Sequence, residues 1–207
     1  MRKSKYLVLS SFYFNFNDNL SKIIKINELF KKQNILDLFR FDKIKIIIAE
    51  EFSKHENLNF IYLPVSIEKI DEYSFWNCKI QILDLSNCIN LKNIERSVFH
   101  KNQIKYLKLP QNIIAIYSGA FMTNQIKYLK LPQTIENINE YAFFNNQIEI
   151  LDISNCIKLK SINENVFDKN LIKQLKLPKN IEIIDNFAFS NNQIEILDLS
   201  NYIKLKS

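Results

Sequence analysis

The sequence predicts an α/β solenoid: an arc or horseshoe with a short-stranded parallel β-sheet on one face and turn or short-helix returns behind it. Three observations predict it. Apolar residues recur at steps of 22 or 24 residues, each strand-like segment ends in Leu-Pro or Ser-Asn, and each is followed by a segment carrying two Ile or Leu and then Phe. Self-similarity at such a period is the mark of stacked units that cannot fold singly.

The strands come first in each unit. IKYLKLP occurs identically at 104–110 and 126–132, with FIYLP at 60–64 and IKQLKLP at 172–178 as relatives. A second kind reads IQILDLSNC at 80–88, IEILDISNC at 148–156 and IEILDLSNY at 194–202. The first apolar residues, taken as position 0, are Leu58, Ile80, Ile104, Ile126, Ile148, Ile172 and Ile194. Apolar side chains at positions 0, 3 and 5 alternate as a strand needs to point one row into a core. Proline ends the strand because it has no N–H to give a ladder. Proline units are 22 residues long and Ser-Asn units 24, the two extra residues falling between the strand and the next apolar pair.

The returns follow. Ile113, Ile116, Ala120 and Phe121 have counterparts in Ile135, Ile138, Ala142 and Phe143, and in Ile181, Ile184, Ala188 and Phe189. The first clear unit uses Ile67, Ile70, Ser74 and Phe75, and the Ser-Asn units use Leu91, Ile94, Val98 and Phe99, then Leu159, Ile162, Val166 and Phe167. This spacing predicts a turn with a short helix packed on the strand.

The ends are less regular. Residues 58–207 hold the clear repeats, the last of them incomplete. Residues 36–57 read as a degenerate repeat, with Leu36, Phe39 and Phe41 as its strand and Ile44, Ile47 and Phe52 as its return. Residues 1–35 read as an N-terminal cap, either another degenerate repeat or a helix. The last unit stops at Ser207 without the Ile, Val and Phe of its siblings, so its core is expected to be open, which a covering partner or second copy, a fragment of a longer chain or a truncated gene would each explain.

Composition removes several function classes. The chain has 207 residues, net charge +6, one glycine (Gly119), two histidines and three cysteines. One glycine excludes the dinucleotide and Walker phosphate loops. The 34 Ile, 27 Asn and 25 Lys fit an AT-rich coding sequence and are not read as function. No run of five like charges forms a basic arm. No stretch approaches 18 apolar residues, so no membrane span is expected. The start, MRKSKYLVLSSFYFNF, pairs basic with apolar residues, but Ser10, Ser11 and Asn15 interrupt it and no small-residue cleavage site follows.

The pattern L-x-L-P-x-x-I-x-x-I-x-x-x-A-F, as in LKLPQTIENINEYAF, resembles the BspA-type leucine-rich repeats, strongly over 58–207 and weakly over 36–57. The resemblance implies a right-handed leucine-rich-repeat horseshoe or arc. It implies adhesion or protein binding, as in bacterial surface proteins, protists and giant DNA viruses, with no shared catalytic residues and no cofactor. The family usually has glycine after the second Ile of the return. Asp71, Tyr117, Asn139 and Asp185 stand there, which implies left-handed backbone that Asn and Asp tolerate and an irregular turn at Tyr117.

The candidate site follows from the strand positions that face outward. Position 4 holds Tyr62, Asp84, Lys108, Lys130, Asp152, Lys176 and Asp198. Parallel strands about 4.8 Å apart stack these into a column. Ion pairs are expected for Asp84–Lys108, Lys130–Asp152, Asp152–Lys176 and Lys176–Asp198, each of small worth at a surface. Lys108 and Lys130 are like-charged neighbours. With Lys105, Tyr106, Lys127 and Tyr128 they form a ligand-binding patch of four lysines and two tyrosines. The expected function is a non-enzymatic protein-recognition module or scaffold. The alternatives are an acidic, phosphorylated or nucleic-acid ligand on that patch, or a structural fragment without its own ligand.

Cys88 and Cys156, at position 8, are expected in the core and too far apart for a disulfide. Cys78 is expected as a packed or turn thiol. An odd, scattered set favours a reducing compartment, whereas the bacterial surface relatives favour the cell exterior. His55 and His100 have no spacing that places a base beside a thiol. Trp76 is expected to cover a neighbouring unit.

Overall fold

The computed structural model describes residues 35–37, 44–195, 197, 199, 200 and 202–206, the first three through their backbone alone. The predicted cap over 1–35 lies outside the described residues except for Ile35. Each unit runs once round the solenoid through three edges. The front edge carries strands β1 (Ile35–Asp37), β3 (Phe60–Tyr62), β5 (Ile82–Asp84), β7 (Tyr106–Lys108), β10 (Ile150–Asp152) and β12 (Gln174–Lys176). The return edge carries two-residue strands: β2 (Ile46–Ile47), β4 (Lys69–Ile70), β6 (Asn93–Ile94), β8 (Ala115–Ile116), β9 (Asn137–Ile138), β11 (Ser161–Ile162) and β13 (Ile183–Ile184). Every pairing is parallel. The third edge is the turn that carries the phenylalanines.

No helix occurs among the described residues, so the fold is an all-strand solenoid and the expected α/β class with short-helix returns is corrected. The reason lies in where the turn N–H groups go. Tyr73, Phe75 and Asn77 donate not to their own turn but to Arg96, Val98 and His100 carbonyls of the next unit, at 3.2, 3.0 and 2.8 Å. Tyr73 and Asn77 have positive φ (57° and 53°), which interrupts helical geometry and turns the N–H sideways. The same three bonds recur at each joint from Glu50, Phe52 and Lys54 through Asn165, Phe167 and Lys169.

This moves the left-handed position from where the family glycine suggests. Asp71, Tyr117, Asn139 and Asp185 are not left-handed. Tyr73, Gly119, Tyr141 and Phe187, two residues on, are. Gly119 therefore occupies the strained site, and Tyr117 needs no irregular turn. Asp71 and its equivalents instead close the return edge: their N–H groups donate to Ile47, Ile94, Ile116 and Ile162 carbonyls at 2.8–2.9 Å.

Beside the buried Ile and Leu rows of the strands and returns, the core holds two further columns. Phe52, Phe75, Phe99, Phe121, Phe143, Phe167 and Phe189 stack with ring centroids 5.2–5.6 Å apart and planes within 11°. Behind them runs an asparagine column, Asn102, Asn124, Asn146, Asn170 and Asn192, which sequence reading missed. Asn146 Nδ2 donates to the Phe121 and Phe143 carbonyls (3.0 and 3.1 Å), and its Oδ1 accepts the Ile126 N–H (3.1 Å). One side chain thus satisfies three backbone groups in two units, groups that would otherwise be buried unpaired. Cys78 holds the equivalent place in the first clear unit, its Sγ donating to the Phe52 carbonyl at 3.0 Å.

In the segment predicted as a degenerate repeat, Leu36 pairs with Ile61, which is position 3 of its unit. The strand there lies three residues earlier than the spacing of Leu36, Phe39 and Phe41 suggests. Ile46–Ile47 pairs with Lys69–Ile70, and Phe52 stacks on Phe75.

Loop type decides how tightly the sheets pair. After Ser-Asn strands the ladder is full: β5–β7 and β10–β12 pair over three residues, and the Leu85 and Ile153 N–H groups extend it to the Lys108 and Lys176 carbonyls, each at 2.9 Å. In proline units the equivalent N–H belongs to Leu63, Leu109 or Leu131. The following ring restricts that residue, and none of the three bonds to the next strand. β3 and β5 keep one pair, 128 and 150 keep one, and 106–108 pairs with nothing on its 128–130 side. The return sheet breaks instead between β4 and β6 and between β9 and β11, where the intervening loop is the longer Ser-Asn one.

Two outcomes are expected. Asn146→Ala strands three buried backbone groups and should cost about 3 kcal/mol in urea unfolding. Phe187, left-handed and 64% exposed, should gain about 1 kcal/mol on replacement by glycine.

Candidate functional site

The front face is built by the alternation of each strand. Positions 3 and 5 enter the core, and positions 2 and 4 face out. Lys105, Tyr106, Lys108, Lys127, Tyr128 and Lys130 are all exposed, on adjacent front segments. Tyr128 stands out at 76% exposure. Lys108 Nζ lies 5.3 Å from the centre of the Tyr106 ring and 3.4 Å from Asp84 Oδ2. The Tyr106 hydroxyl and then the Asp84 carboxylate raise its pKa above the usual lysine range.

The position-4 column is formed in part. Asp84–Lys108 and Asp152–Lys176 each close at 3.4 Å. Tyr62 is exposed and pairs in register with Asp37. Lys130 makes no ion pair with Asp152 among the described residues, a correction to the sequence expectation: the strands there share only the Tyr128–Ile150 pairing, two residues away. Asp198 lies outside the described residues.

Asp84 and Asp152 are held as carboxylates. Asp152 accepts the Ser154 hydroxyl (2.6 Å) and N–H (3.1 Å), which with Lys176 lower its pKa against a smaller burial effect. For Asp84 burial is the largest influence and raises the pKa, but the Ser86 hydroxyl and N–H with Lys108 together outweigh it.

Between the charges runs a column that sequence reading overlooked. Position 2 holds Phe60, Ile82, Tyr106, Tyr128 and Ile150, all but the half-buried Phe60 exposed, with Phe60, Ile82 and Tyr106 in one register and Tyr128 paired to Ile150. The signal was present in the strand text, where IQILD and IEILD place isoleucine at an outward position.

The remaining candidates serve structure. Cys78, Cys88 and Cys156 are free and buried. Trp76 lies on the turn edge with Lys54 and Lys101 over its ring at 5.1 and 5.9 Å, so it covers the neighbouring units. His100 tilts against it at 6.5 Å, and burial, then Lys101, lowers its pKa.

The BspA type leucine rich repeat region matches residues 22–149 and 92–206, in six copies. The chain belongs to that family. Among solved structures, the leucine-rich effector protein YopM of Yersinia pestis is similar at 26% identity and TM-score 0.51, over 71% of this chain and 38% of that one. A leucine-rich repeat protein of Bacteroides ovatus shares the fold at 22% identity and TM-score 0.53, over 75% of this chain and 47% of that one. The chain thus spans less than half the length of either. No curated protein matches it.

Burial holds the Cys78 thiol up at about 12 and the Cys88 and Cys156 thiols at about 11. In the unfolded chain these thiols ionise at about 8.5. Between that pH and the folded values the native state binds more protons, so stability falls as pH rises. Urea unfolding followed from pH 8 to pH 10 (about the thiol range) should show this fall, and the Cys78→Ala variant should show less of it.

Proposed function

We propose that this solenoid is a non-enzymatic recognition module that binds a protein partner across its front sheet. The position-2 column supports the reading. Exposed Ile82 and Tyr106 share one register and exposed Tyr128 and Ile150 another, on successive front segments of the solenoid, bordered by charged side chains. Apolar and aromatic centres with a polar rim are the usual anatomy of protein interfaces, with aromatic residues as the strongest anchors. The family and the fold agree with this, since stacked repeats hold a long surface fixed and so reduce the ordering cost of binding.

The return edge carries a charged row that includes Lys45–Glu68 at 2.8 Å and Lys158–Glu136 at 2.8 Å, and its exposed isoleucines, Ile46, Ile114 and Ile183, stand several units apart.

Immobilised protein should retain a partner after nuclease treatment, and Ile82→Asp with Ile150→Asp should weaken that partner by about 2 kcal/mol or more. Ile183→Asp, on the return sheet, should leave it unchanged. Equal loss in both variants, or loss in neither, would rule out the front sheet.

A further inference from the structure

We infer that the unpaired joint between β7 and residues 127–130 is the specificity centre of the front face, and that it takes an extended acidic segment of a protein, carboxylates flanking apolar side chains. The inference rests on the front-sheet reading above and adds the chemistry of the partner.

Three observations converge on this joint. First, it concentrates cations. Lys105, Lys108, Lys127 and Lys130 lie on two adjacent front segments, and among the described residues only Lys108 has a carboxylate in ion-pair reach, Asp84. Like charges on adjacent strands oppose pairing, and an arriving carboxylate relieves that repulsion. Second, each tyrosine is bracketed along its strand, Lys105–Tyr106–Lys108 and Lys127–Tyr128–Lys130, so an apolar contact at position 2 has a cation on both sides. Third, the backbone is open here. The bond that Lys105 N–H makes to the Gln81 carbonyl (2.9 Å) has no counterpart between Lys127 and Lys105, and the Leu109 N–H does not reach Lys130. Leu107 and Leu129 are 9% and 8% exposed where Leu83 and Leu151 are 0%. The joint therefore presents N–H groups as well as ammonium groups to an anion.

The flanks decide between an acidic peptide and a nucleic acid. Asp84 and Asp152 stand on the strands either side of the lysine pair, with apolar Ile82 and Ile150 beside them. A continuous phosphate backbone crossing the sheet would meet both carboxylates. A protein segment can instead run along Lys105–Tyr106–Lys108 or Lys127–Tyr128–Lys130, its carboxylates over the lysines and an apolar side chain over the tyrosine, and so avoid both.

The test is fluorescence anisotropy of the full chain with a labelled peptide alternating glutamate and leucine, its lysine-for-glutamate counterpart, and oligothymidylate. The glutamate peptide should bind, weaken with salt, and lose about tenfold in affinity on Lys105→Glu with Lys130→Glu. Tyr128→Ala should weaken it also, and Lys160→Glu on the return sheet should not. Lys105→Gln with Lys130→Gln should give a smaller loss in the same direction, and covers the case in which charge reversal disturbs folding seen by circular dichroism. No binding of the glutamate peptide, or binding indifferent to the glutamine variant, overturns the acidic-segment inference. Oligothymidylate binding more tightly through the same lysines overturns it in favour of nucleic acid. The Ile82→Asp, Ile150→Asp experiment reads the front-sheet proposal independently, so either can fail alone.

Discussion

The structure depends on how each turn disposes of its backbone N–H groups. A solenoid unit of some two dozen residues cannot satisfy them internally without a helix, and none is present among the described residues. Two left-handed residues per turn aim the N–H groups at the next unit, and the buried asparagine column closes the groups that remain. Stacking is therefore required by hydrogen bonding as much as by burial. The phenylalanine stack follows from it, since the sideways bonds of Phe52, Phe75 and their equivalents fix the ring spacing at the unit repeat.

The cost of this device is strain. Tyr73, Tyr141 and Phe187 adopt a conformation that disfavours any side chain with a Cβ, by about 1–2 kcal/mol each. It persists because the three sideways bonds per joint and the close-packed column over-determine the turn. The turn edge is thus the continuous spine, repeated at every joint described from Glu50 to Ser190, whereas both sheets are interrupted. Proline opens the front sheet and the longer Ser-Asn loop opens the return sheet, so the pairing of each joint follows from the two units that meet there. The joint with proline units on both sides carries the four lysines, of which Lys108 alone has a carboxylate in reach among the described residues, and so brings unpaired backbone and unpaired cations to one place.

The repeat, its period, the core rows and the family were all legible in the sequence, because apolar spacing reports burial directly. Every predicted core position from Ile67 to Phe167 is buried as expected. The returns were misread as partly helical because Ile-x-x-Ile spacing fits a helical turn as well as two strand ends. The asparagine column was passed over although Asn102, Asn124, Asn146, Asn170 and Asn192 all precede position 0 by two residues. In a chain so rich in asparagine, a periodic one was not separated from compositional bias. That the four lysines and two tyrosines face outward on adjacent front segments was legible, but the exposure of Ile82 and Ile150 was not, since isoleucine in a strand reads as core until the facing is known.

The sequence by itself determined that this chain stacks, with what period, and which side chains share a column, because periodic apolar residues permit one burial. Tertiary structure alone decided where the left-handed residues fall, which N–H groups cross between units, and which ladders close. Those depend on the direction of single backbone bonds. Asn77, Asn145, Asn165, Asn191 and Gly119 are types that tolerate this backbone, but Tyr73, Lys101, Thr123 and Phe187 hold equivalent positions and are not, so residue type alone does not give that direction. The same holds at the front joint, where Lys130 and Asp152 suit one another in charge and remain apart because the strands between them do not pair.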